Sequence, residues 1–596
     1  QEDYAVGARY GLEVANPVGD DGVFQRDLPL FGGMSVRDAN PKVVETLRER
    51  GALVKERRLK HSYPHCWRCK NPILFRATPQ WFIGLDVGAP TIREGALEAI
   101  HRAVRWIPGW GKDRILGMME KRPDWCISRQ RAWGVPIVAF GCEDCGETLL
   151  DPAVMNHVAD IFDQETSDAW FARAAKDLLP PGAACPKCGG GNLAQEANIL
   201  DVWFDSGVSH AAVCERHPML SSPADLYLED SDQHRGWFNS SLLTSVGTRG
   251  RAPFKTVLTH GFVVDAKGRK MSKSLGNVIA PEKILKQYGA EILRLWVAAE
   301  DYRNDIRISD EILGHLAEAY RRIRNTARFL LSNLGGFDPE RDAVAYADLP
   351  ELDRWALLRL EQLTRRILKA YEEAEFHVVY HQLNNFCAVD LSALYLDIVK
   401  DRLYCEAPAG APRRSAQTVC YRLADSLTRL MAPVLSFLAE EIWANLPGAR
   451  EASVHLAEMP KPEEARLDAA LEARWERLWA LREAVTEVLE PQRASKAIGH
   501  SLEAVVTRLG APKADLAAIR GLEPNLADLF LVSGVTVAET EGGSPVIETK
   551  PAKDLGRRKC ARCWKYEEKT GADPAYPETC PRCASVLREM GHTAAA

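Results

Sequence analysis

The stretch Gly268-Arg-Lys-Met-Ser-Lys-Ser-Leu-Gly-Asn277 begins three residues after the end of the apolar run Thr256–Asp265, and the two together indicate a strand that ends in a loop. The run Ile199–Phe204 has the same apolar character, and both runs are flanked by helical stretches. Strands that alternate with helices predict a parallel α/β layer. Because glycines bracket the quoted stretch, we expect the loop to be mobile.

Two lysines three residues apart give this loop its chemistry. Lys270 and Lys273 can close over a polyphosphate and neutralise the charge that grows as pyrophosphate leaves. Ser272 and the backbone amides add neutral donors. The sequence has no GxxxxGK[ST] motif, which disfavours an ordinary P-loop NTPase. A solvated basic loop is the alternative interpretation.

Length and composition bound the class of protein. The 596 residues are 46% hydrophobic and 27% charged, which is globular composition and excludes a disordered, collagen-like or disulfide-miniprotein class. No apolar run approaches the roughly 20 residues of a membrane span. The net charge of −6 excludes a globally basic nucleic-acid coat, so contacts to nucleic acid must come from local patches. The chain begins at Gln1 without Met, and we expect it to be part of something longer.

The sequence pattern of the rest of the chain predicts a different kind of structure in different parts. Residues 1–78 are punctuated by Gly and Pro and predict a compact β-rich piece, whereas helical periodicity from about residue 290 predicts a bundle. A strand–helix–strand module is expected over Leu502–Val537. The predicted helices are Glu291–Glu300, Glu311–Leu334, Leu352–Ala374, Phe376–Arg402, Ala416–Leu446 and Leu478–Leu489, the last stopped by Pro491.

Fifteen cysteines include five Cys-x-x-Cys pairs, a spacing that suits tetrahedral zinc. The pairs Cys560/Cys563 and Cys580/Cys583 are separated by 16 residues and predict a Cys₄ zinc ribbon. The pairs Cys142/Cys145 and Cys185/Cys188 predict a second zinc site, despite a 39-residue gap. For Cys66/Cys69 two interpretations stay open, namely idle thiols or half of a further site. The remaining cysteines are interpreted as small core residues: Cys126, Cys214, Cys387, Cys405 and Cys420.

Several segments together resemble one family. Lys270–Ser274 followed by Leu-Gly-Asn looks like the second signature of class I aminoacyl-tRNA synthetases, and Tyr227–Phe238 is similar to the isoleucyl members rather than to the valyl or leucyl ones. The terminal Cys-x-x-Cys-Trp module also looks isoleucyl-type. One departure is Asp230, where the family usually has Gly. The further matching segments are Trp125–Pro136 (WCISRQRAWGVP), Asp201–Gly207 (DVWFDSG) and His61–Cys69 (HSYPHCWRC).

The resemblance implies a two-step reaction in which L-isoleucine attacks ATP, with Mg²⁺, and the acyl group then passes to tRNA(Ile). In such a reaction, positioning of the substrates and stabilisation of charge supply most of the catalysis. It implies that Lys273, supported by Lys270 and Ser272, contacts the departing phosphates. Glu229, Asp232 and Gln233 would hold the adenylate, although Glu229 also suits a surface acid near a helix start and Asp232 a helix cap. Asp3 matches an editing-site aspartate, which would act against mischarged valine.

The resemblance also implies contacts to tRNA. Four arginines of the bundle are candidates, with a solvated helix face as the alternative interpretation. A second basic cluster lies beside aromatic residues, as in proteins that combine phosphate contact with base stacking, and its alternative is surface charge of the ribbon. The bundle candidates are Arg321, Arg322, Arg324 and Arg328, and the tail candidates are Arg557, Arg558, Lys559, Arg562 and Lys565 with Trp564 and Tyr566.

The expected architecture is multidomain, α/β plus all-α: the second half of a class I Rossmann-type catalytic domain, an anticodon-binding helical bundle and a C-terminal zinc ribbon. The first signature of the family, HIGH, is not in the sequence, and we expect the chain alone to be inactive. We further expect Zn²⁺, a monomer, a cytoplasmic location and no membrane. The alternatives are a non-catalytic tRNA-binding zinc module and a valyl or leucyl synthetase. The predicted boundaries are 1–78 (end of an editing domain), 79–290 (catalytic, with the zinc-knuckle insert 142–190), 291–345 (connecting helices that contact the tRNA stem), 346–500 (anticodon-binding bundle), 501–545 (small α/β module) and 546–596 (ribbon).

Four tryptophan and phenylalanine side chains near the matched segments are interpreted as packing residues rather than ligand contacts: Trp125, Trp133, Trp203 and Phe204.

Overall fold

A computed structural model describes residues 2–66, 69–272 and 275–592. The chain divides into two compact units, Gln1–Thr259 and His260–Ala596. Lys273 and Ser274 of the lysine loop lie outside the described residues, as do Trp67 and Arg68 of the first cysteine pair.

The described part of the first 80 residues contains two helices, Glu2–Arg9 and Val36–Glu49. The second begins where the Ser35 side chain accepts a hydrogen bond from the amide of Asp38. Between and after the helices, the described chain makes isolated bridges such as Val18 with Phe24 rather than a sheet. The prediction of a β-rich piece is therefore wrong, because the extended, Gly- and Pro-punctuated segments do not pair with one another over any length.

A three-stranded sheet forms the centre of the first unit, in the order Arg105–Ile107, Phe254–His260, Ala224–Asp230. Arg105–Ile107 and Phe254–His260 are parallel, as an α/β layer requires. The helix Trp237–Arg249 packs its buried residues, Phe238 and Leu242 among them, into the core cluster that also holds Val257. The other helices of this unit up to residue 140 are Ile92–Glu98, continued by π-helical Ala99–Ala103, and Trp110–Glu120, and the further short strands are Phe82–Ile83, Trp125–Cys126 and Ser128–Arg129.

Both apolar runs of the sequence are shorter strands than predicted. The run at 256–265 ends its first strand at His260, after which the Gly261 amide donates a hydrogen bond of 2.8 Å to the Tyr302 carbonyl. Val263–Val264 then pairs in parallel with Ile306–Arg307. The run at 199–204 is a strand only at Ile199–Leu200, because Asp201 caps a helix, Val202–Gly207.

The predicted zinc-knuckle insert has a small core of its own. Strands Phe140–Cys142, Thr148–Leu149 and Leu193–Gln195 form a sheet in which Phe140–Cys142 is central. Phe140 packs against Trp170, with ring centroids 5.0 Å apart. The helices of the insert are Pro152–Glu165, Ala169–Ala172 and Ala175–Leu178, and π-helical His210–Cys214 follows it.

The second unit is mainly the predicted helical bundle. Its apolar helix faces share one large core with the small module that follows. Two breaks differ from prediction: the run 416–446 is split near Pro433, and the last helix continues through Pro491 to Ala494, where the proline removes one hydrogen bond close to the helix end. Within the described part of the chain, no helix is both long enough and apolar enough to cross a bilayer. The helices are Pro281–Tyr288, Ala290–Ala299, Asp310–Ser332, Glu351–Glu372, Phe376–Asn385, π-helical Phe386–Tyr395, Leu396–Cys405, Ala411–Met431, Ser436–Ala444 and Ala469–Ala494.

The small module has the predicted strand–helix–strand order. The strands Ala504–Ala511 and Val535–Glu539 pair in parallel with each other, and the helix Lys513–Ile519 lies between them in the sequence. A third strand, Val546–Pro551, pairs antiparallel with Ala504–Ala511, so residues placed with the ribbon from the sequence belong to this sheet. The ribbon itself follows with strands Arg558–Lys559 and Tyr566–Glu567 and the helix Pro581–Glu589.

Candidate functional site

The segment Glu229–Trp237 joins the strand Ala224–Asp230 to the helix Trp237–Arg249 through a 3₁₀ turn. Asp230 caps that turn, because its Oδ1 accepts a hydrogen bond of 2.8 Å from the Asp232 amide. The sequence suggested Asp232 for a capping role, but the cap comes from the residue that replaces the family's Gly. The carboxylate of Asp232 is exposed and makes no hydrogen bond or ion pair with any described residue, so it is available to a ligand.

Gln233 holds the start of the following helix. Its Oε1 accepts a hydrogen bond of 3.0 Å from the Trp237 amide, which leaves its Nε2 as a donor for a ligand. Gly236 lies against both Gln233 and Trp203: a Cβ there would be 2.6 Å from Oε1 and 2.8 Å from the Trp203 ring. Glycine is therefore required for this close approach.

Trp203 forms a wall of two adjoining clefts. A cleft of about 490 Å³ is lined by Arg114, Met118, Asp232, Gln233 and Trp203, and a second of about 300 Å³ shares Trp203, Arg235 and Gly236 with it. Trp203 is 42% exposed, and Trp133 is 89% exposed, so the interpretation of these two as packing residues is wrong. Trp125 is 6% exposed and packs against Phe204, as predicted. Residue type does not separate a core tryptophan from a cleft tryptophan, and no signal in the single sequence identified Trp203.

Two matched segments meet at this cleft. Arg129 forms an ion pair of 2.8 Å with Asp201, and both residues line the second cleft. Burial, with a smaller contribution from Asp201, raises the pKa of Asp205 to about 6. Glu229 is exposed at the strand end and is not among the residues that line either cleft.

His234 is the most buried titratable group of the segment, and its burial lowers the pKa of the imidazole. The ring stacks on Trp106, and Nδ1 lies 3.1 Å from the carbonyl of Ser231. Its Nε2 has no hydrogen-bond partner among the described residues. Gly111 makes room for it, since a Cβ there would be 3.1 Å from Nε2. His234 therefore orients the turn rather than facing solvent.

In the second unit, the lysine loop is closed at its base by Asp265. Its Oδ1 accepts hydrogen bonds from the amides of Lys267 and Arg269, and its Oδ2 accepts one of 3.0 Å from the Asn277 side chain. The Asn277 bond and the Arg269 amide hold the pKa of Asp265 well below its usual range. Asn277 also accepts a hydrogen bond of 2.9 Å from the Ser272 amide, so both ends of the loop are tied together.

Lys270 lies in the described part of this loop. Its ammonium is 5.1 Å from the centre of the Phe262 ring, a cation–π contact at an exposed position. Ser272 accepts a hydrogen bond from the Leu275 amide. Lys273, for which a phosphate contact is predicted, lies outside the described ranges.

Cys142, Cys145, Cys185 and Cys188 come together as predicted. Their ligand atoms all lie within 4.8 Å of one another, with Sγ–Sγ distances of 3.6 Å (Cys142–Cys188) and 3.5 Å (Cys145–Cys185). A zinc–sulfur bond of about 2.3 Å gives a tetrahedron edge of about 3.8 Å, so the four sulfurs fit one zinc ion. Backbone amides of Cys188 and Lys187 lower the pKa of Cys185 to about 6, which favours the thiolate.

Cys560, Cys563, Cys580 and Cys583 form a second such set, and all four are buried. Both knuckles are fastened to the end of the helix Leu396–Cys405. Arg562 donates a hydrogen bond of 2.6 Å to the Cys405 carbonyl, and Arg582 pairs with Asp401 at 2.6 Å. Cys405, interpreted as a core residue, belongs to the same buried cluster as the four ligands.

The first cysteine pair has no further metal ligand among the described residues. Cys66 and Cys69 form a turn in which the Cys69 amide lies 3.5 Å from the Cys66 Sγ, and the searched residues offer no third metal ligand there. Asp3 lies in the helix Glu2–Arg9.

The bundle arginines lie on one helix, Asp310–Ser332, with exposed side chains. Arg321 pairs with Glu318 at 2.6 Å, Arg322 contacts the Asn384 side chain at 3.3 Å, and Arg324 pairs with Glu441 at 3.7 Å. Arg328 lines a shallow cleft with Arg324. These exposed ion pairs leave the guanidinium groups accessible.

The tail cluster is mostly engaged inside the protein. Arg557 donates to the Ser533 carbonyl, Arg558 to that of Thr570, and Lys565 is buried between Asp401 and Asp528. The exception is Lys559, whose ammonium lies 5.0 Å from the centre of the Trp564 ring, and Trp564 is 58% exposed. Only this pair of the cluster presents both a cation and a stacking surface to solvent.

Three family models match the chain in order. That for class I tRNA synthetases (I, L, M and V) matches residues 23–309, that for the anticodon-binding domain of tRNA ligase matches 353–508, and that for the zinc finger found in FPG and IleRS matches 558–586. The chain is 56% identical to the isoleucine–tRNA ligase of Syntrophotalea carbinolica, 54% identical to that of Geobacter sulfurreducens and 51% identical to that of Desulfitobacterium hafniense, each over 99% of its length. The chain is therefore similar to isoleucine–tRNA ligases along nearly its whole length.

The chain spans 64% of the length of these relatives. The similarity agrees with the isoleucyl resemblance and gives no support to a valyl or leucyl synthetase. The zinc-finger match contains Cys560, Cys563, Cys580 and Cys583, which confirms the predicted zinc site at the C-terminal end. Arg321, Arg322 and Arg324 lie between the synthetase and anticodon matches, whereas Trp564 lies inside the zinc finger.

Proposed function

We propose that this chain carries part of the active site of an isoleucine–tRNA ligase, which activates L-isoleucine with ATP and Mg²⁺ and transfers it to tRNA(Ile). Hydrolytic editing of mischarged valine, with Asp3 as a contributor, is part of the same proposal. The observation that carries it is the cleft at Trp203, Asp232 and Gln233, in a chain that is 56% identical to a curated ligase.

The cleft has the chemistry that isoleucyl-adenylate requires. The exposed Trp203 ring suits the branched apolar side chain, the unpaired Asp232 carboxylate suits the α-ammonium, and the free Gln233 amide can donate to an oxygen. Arg114 and Arg235 line the same cleft and suit phosphate. Glu229, at the end of the strand, is proposed to accept a hydrogen bond from a ribose hydroxyl.

The lysine loop supplies positive charge in the reaction. Lys270 and Lys273 are proposed to neutralise the pyrophosphate as it leaves, with Ser272 donating a neutral hydrogen bond. The base of the loop is held by the hydrogen bond between the Asn277 side chain and Asp265. The contact of Lys270 with Phe262 gives its ammonium a resting position that costs little to leave.

For tRNA, we propose that Lys559 and Trp564 contact the anticodon loop and that Arg321, Arg322 and Arg324 contact the stem. Arg557 and Arg558 would act by holding the ribbon in place, because both donate to backbone carbonyls. The zinc ions would stabilise the knuckles without taking part in the reaction. We further propose a cytoplasmic monomer and the domain boundaries that the sequence predicts, with the strand Val546–Pro551 moved to the small module.

The proposal is tested with this chain joined to the N-terminal part of the Syntrophotalea relative, assayed by isoleucine-dependent exchange of pyrophosphate into ATP. Lys273→Ala should lower the exchange rate by about 10²–10³-fold, the range for removing a charge-stabilising donor, while tRNA(Ile) affinity stays within about twofold. Lys267→Ala, on the same loop outside the lysine motif, is the matched control. The chain alone should show no exchange, because its sequence has no HIGH motif.

An unchanged rate in Lys273→Ala removes this lysine from the mechanism. Exchange by the chain alone would contradict the expectation that the chain is inactive without the HIGH motif. If the chain binds tRNA(Ile) but the joined protein never exchanges pyrophosphate, the alternative of a non-catalytic tRNA-binding zinc module is favoured.

A further inference from the structure

A cavity of about 360 Å³ lies within the second unit, away from the residues assigned to the reaction. It is formed where the bundle helices Glu351–Glu372, Leu396–Cys405 and Ala411–Met431 meet the segment Leu522–Leu529 of the small module. Its volume is in the range of small-molecule sites, about 300–1,000 Å³, which often lie where two modules meet.

One side of the cavity is apolar. Ile398 is 5% exposed, Leu526 is fully buried, and Trp475 is 2% exposed, and all three line the space. The indole N–H of Trp475 is already used, since it donates a hydrogen bond of 3.0 Å to Glu351 Oε1. The Trp475 ring therefore offers only an apolar surface, which suits the body of an aromatic or branched ligand.

The charged groups that line the cavity leave one carboxylate without a partner. Glu351 is paired with Arg474, and Asp401 and Asp528 share Lys565. Arg402, which also lines the cavity, is bound at 2.6 Å and 2.9 Å by the two carboxylate oxygens of Asp353.

Asp348 remains. Its carboxylate makes no hydrogen bond or ion pair with any residue in the described ranges, and it lies exposed at the rim. The charge that a ligand would meet is therefore negative.

A hydroxyl that lines the cavity also lacks a partner in the described part of the chain. Ser415 is 4% exposed and lines the cavity, and its Oγ makes no hydrogen bond within the described part of the chain. Neighbouring serines and threonines on buried helix faces bond back to the helix, as Thr418 does to the Arg414 carbonyl. A ligand with a donor or acceptor can therefore hydrogen-bond Ser415 without breaking a hydrogen bond within the protein.

We propose that this cavity binds a small organic cation with an apolar body, an arylalkyl or branched alkyl amine. The ammonium faces Asp348, the body lies against Trp475 and Leu526, and Ser415 hydrogen-bonds the polar part. The proposal does not depend on the ligase reaction, because none of these residues is assigned to it.

The test is titration calorimetry of the 596-residue chain with tryptamine. We expect a Kd of about 1 mM or tighter, as befits a ligand of this size, and at least about tenfold weaker binding of indole-3-propionate, which has the same ring and a negative charge. Asp348→Asn should weaken tryptamine about tenfold, and Leu526→Trp, which fills the cavity, should abolish binding. Glu541→Gln, an exposed acid elsewhere, is the matched control and should bind like the parent.

Each other result overturns the proposal. Absence of binding at about 5 mM tryptamine, equal binding of the anion, or an unchanged Kd in Asp348→Asn would each do so. The fold of each variant is checked by its melting temperature and zinc content. If Leu526→Trp is unfolded, Asp348→Asn decides the question, since Asp348 lies at the exposed rim and makes no contact that folding requires.

Discussion

Asp230 determines which carboxylate is left for a ligand between the strand Ala224–Asp230 and the helix Trp237–Arg249. Asp230 caps the 3₁₀ turn through the Asp232 amide, so the Asp232 side chain stays free. The side-chain amide of Gln233 has two separate roles. Its Oε1 accepts a hydrogen bond from the Trp237 amide, and its Nε2 is left as a donor for a ligand. Replacement of the family's Gly by Asp230 is therefore compatible with the cleft, because the added group points into the turn and hydrogen-bonds there.

Gln233→Ala should destabilise the first unit even without a ligand. The helix Trp237–Arg249 would lose the acceptor for its Trp237 amide, and loss of a cap costs about 1 kcal/mol. For a unit of this size that lowers the melting temperature by about 2–4 °C. Differential scanning calorimetry measures it.

Gln233→Glu is the matched control for this prediction. It keeps the acceptor and adds a negative charge at a helix N-terminus, so its melting temperature should equal or exceed that of the parent. If alanine and glutamate give the same melting temperature, the hydrogen bond to Trp237 contributes nothing to stability.

Which residues the sequence could predict depends on how much chemistry a residue type carries by itself. The cysteine pairs were predictable because thiols at this spacing have few uses, and both sets of four come together. Trp203 was not predictable, since tryptophan serves equally in cores and in clefts and only the fold exposes it. Lys565 looked like a tRNA contact by its charge, whereas Asp401 and Asp528 bury it.

At the scale of elements, the lysine loop is a short segment tied at its base. Asp265 lies directly after the strand Val263–Val264, and Asn277 lies beyond the lysines, so their hydrogen bond closes the loop. The sequence predicted the loop and its mobility from the flanking glycines. It could not predict the tie, because the two side chains are twelve residues apart and neither has a distinctive spacing.

The loop base should open in acid. Because the pKa of Asp265 is held below its ordinary value in the folded loop, the stabilisation that it provides is complete above about pH 4 and is lost as the pH falls through the lowered pKa. Hydrogen exchange of the Lys267 and Arg269 amides, corrected for the intrinsic pH dependence, should show decreasing protection over that range.

The same experiment near neutral pH tests the tie directly. Asp265→Asn should lower the protection of these two amides by about tenfold, because charged acceptors make the stronger hydrogen bonds. Glu282→Gln, an exposed acid on the following helix, is the control and should leave protection unchanged. Equal protection in Asp265→Asn and the parent would mean that the loop is held by other contacts.

At the scale of the whole molecule, metal and charge fasten the C-terminal ribbon. The two arginines inside its knuckles, Arg562 and Arg582, reach the end of one bundle helix at Cys405 and Asp401. Lys565 adds a half-buried ion pair with Asp528 of the small module. Since one partner alone in a buried pair is costly, loss of the ribbon fold would leave Asp401 and Asp528 uncompensated. The zinc site and the bundle are therefore expected to lose stability together.

Zinc content gives the corresponding prediction, because each set of four thiols fits one ion while Cys66 and Cys69 have no third ligand among the described residues. The chain should bind two zinc ions, measured by mass spectrometry of the metal after gel filtration. Cys583→Ser and Cys188→Ser should each lower the content to one, and the double variant to none. Cys66→Ser is the matched control, and its content should stay at two if that pair is idle. A content of three that falls to two in Cys66→Ser would instead make that pair a metal site completed by residues elsewhere, and a content of two in Cys583→Ser would contradict the ribbon ligands.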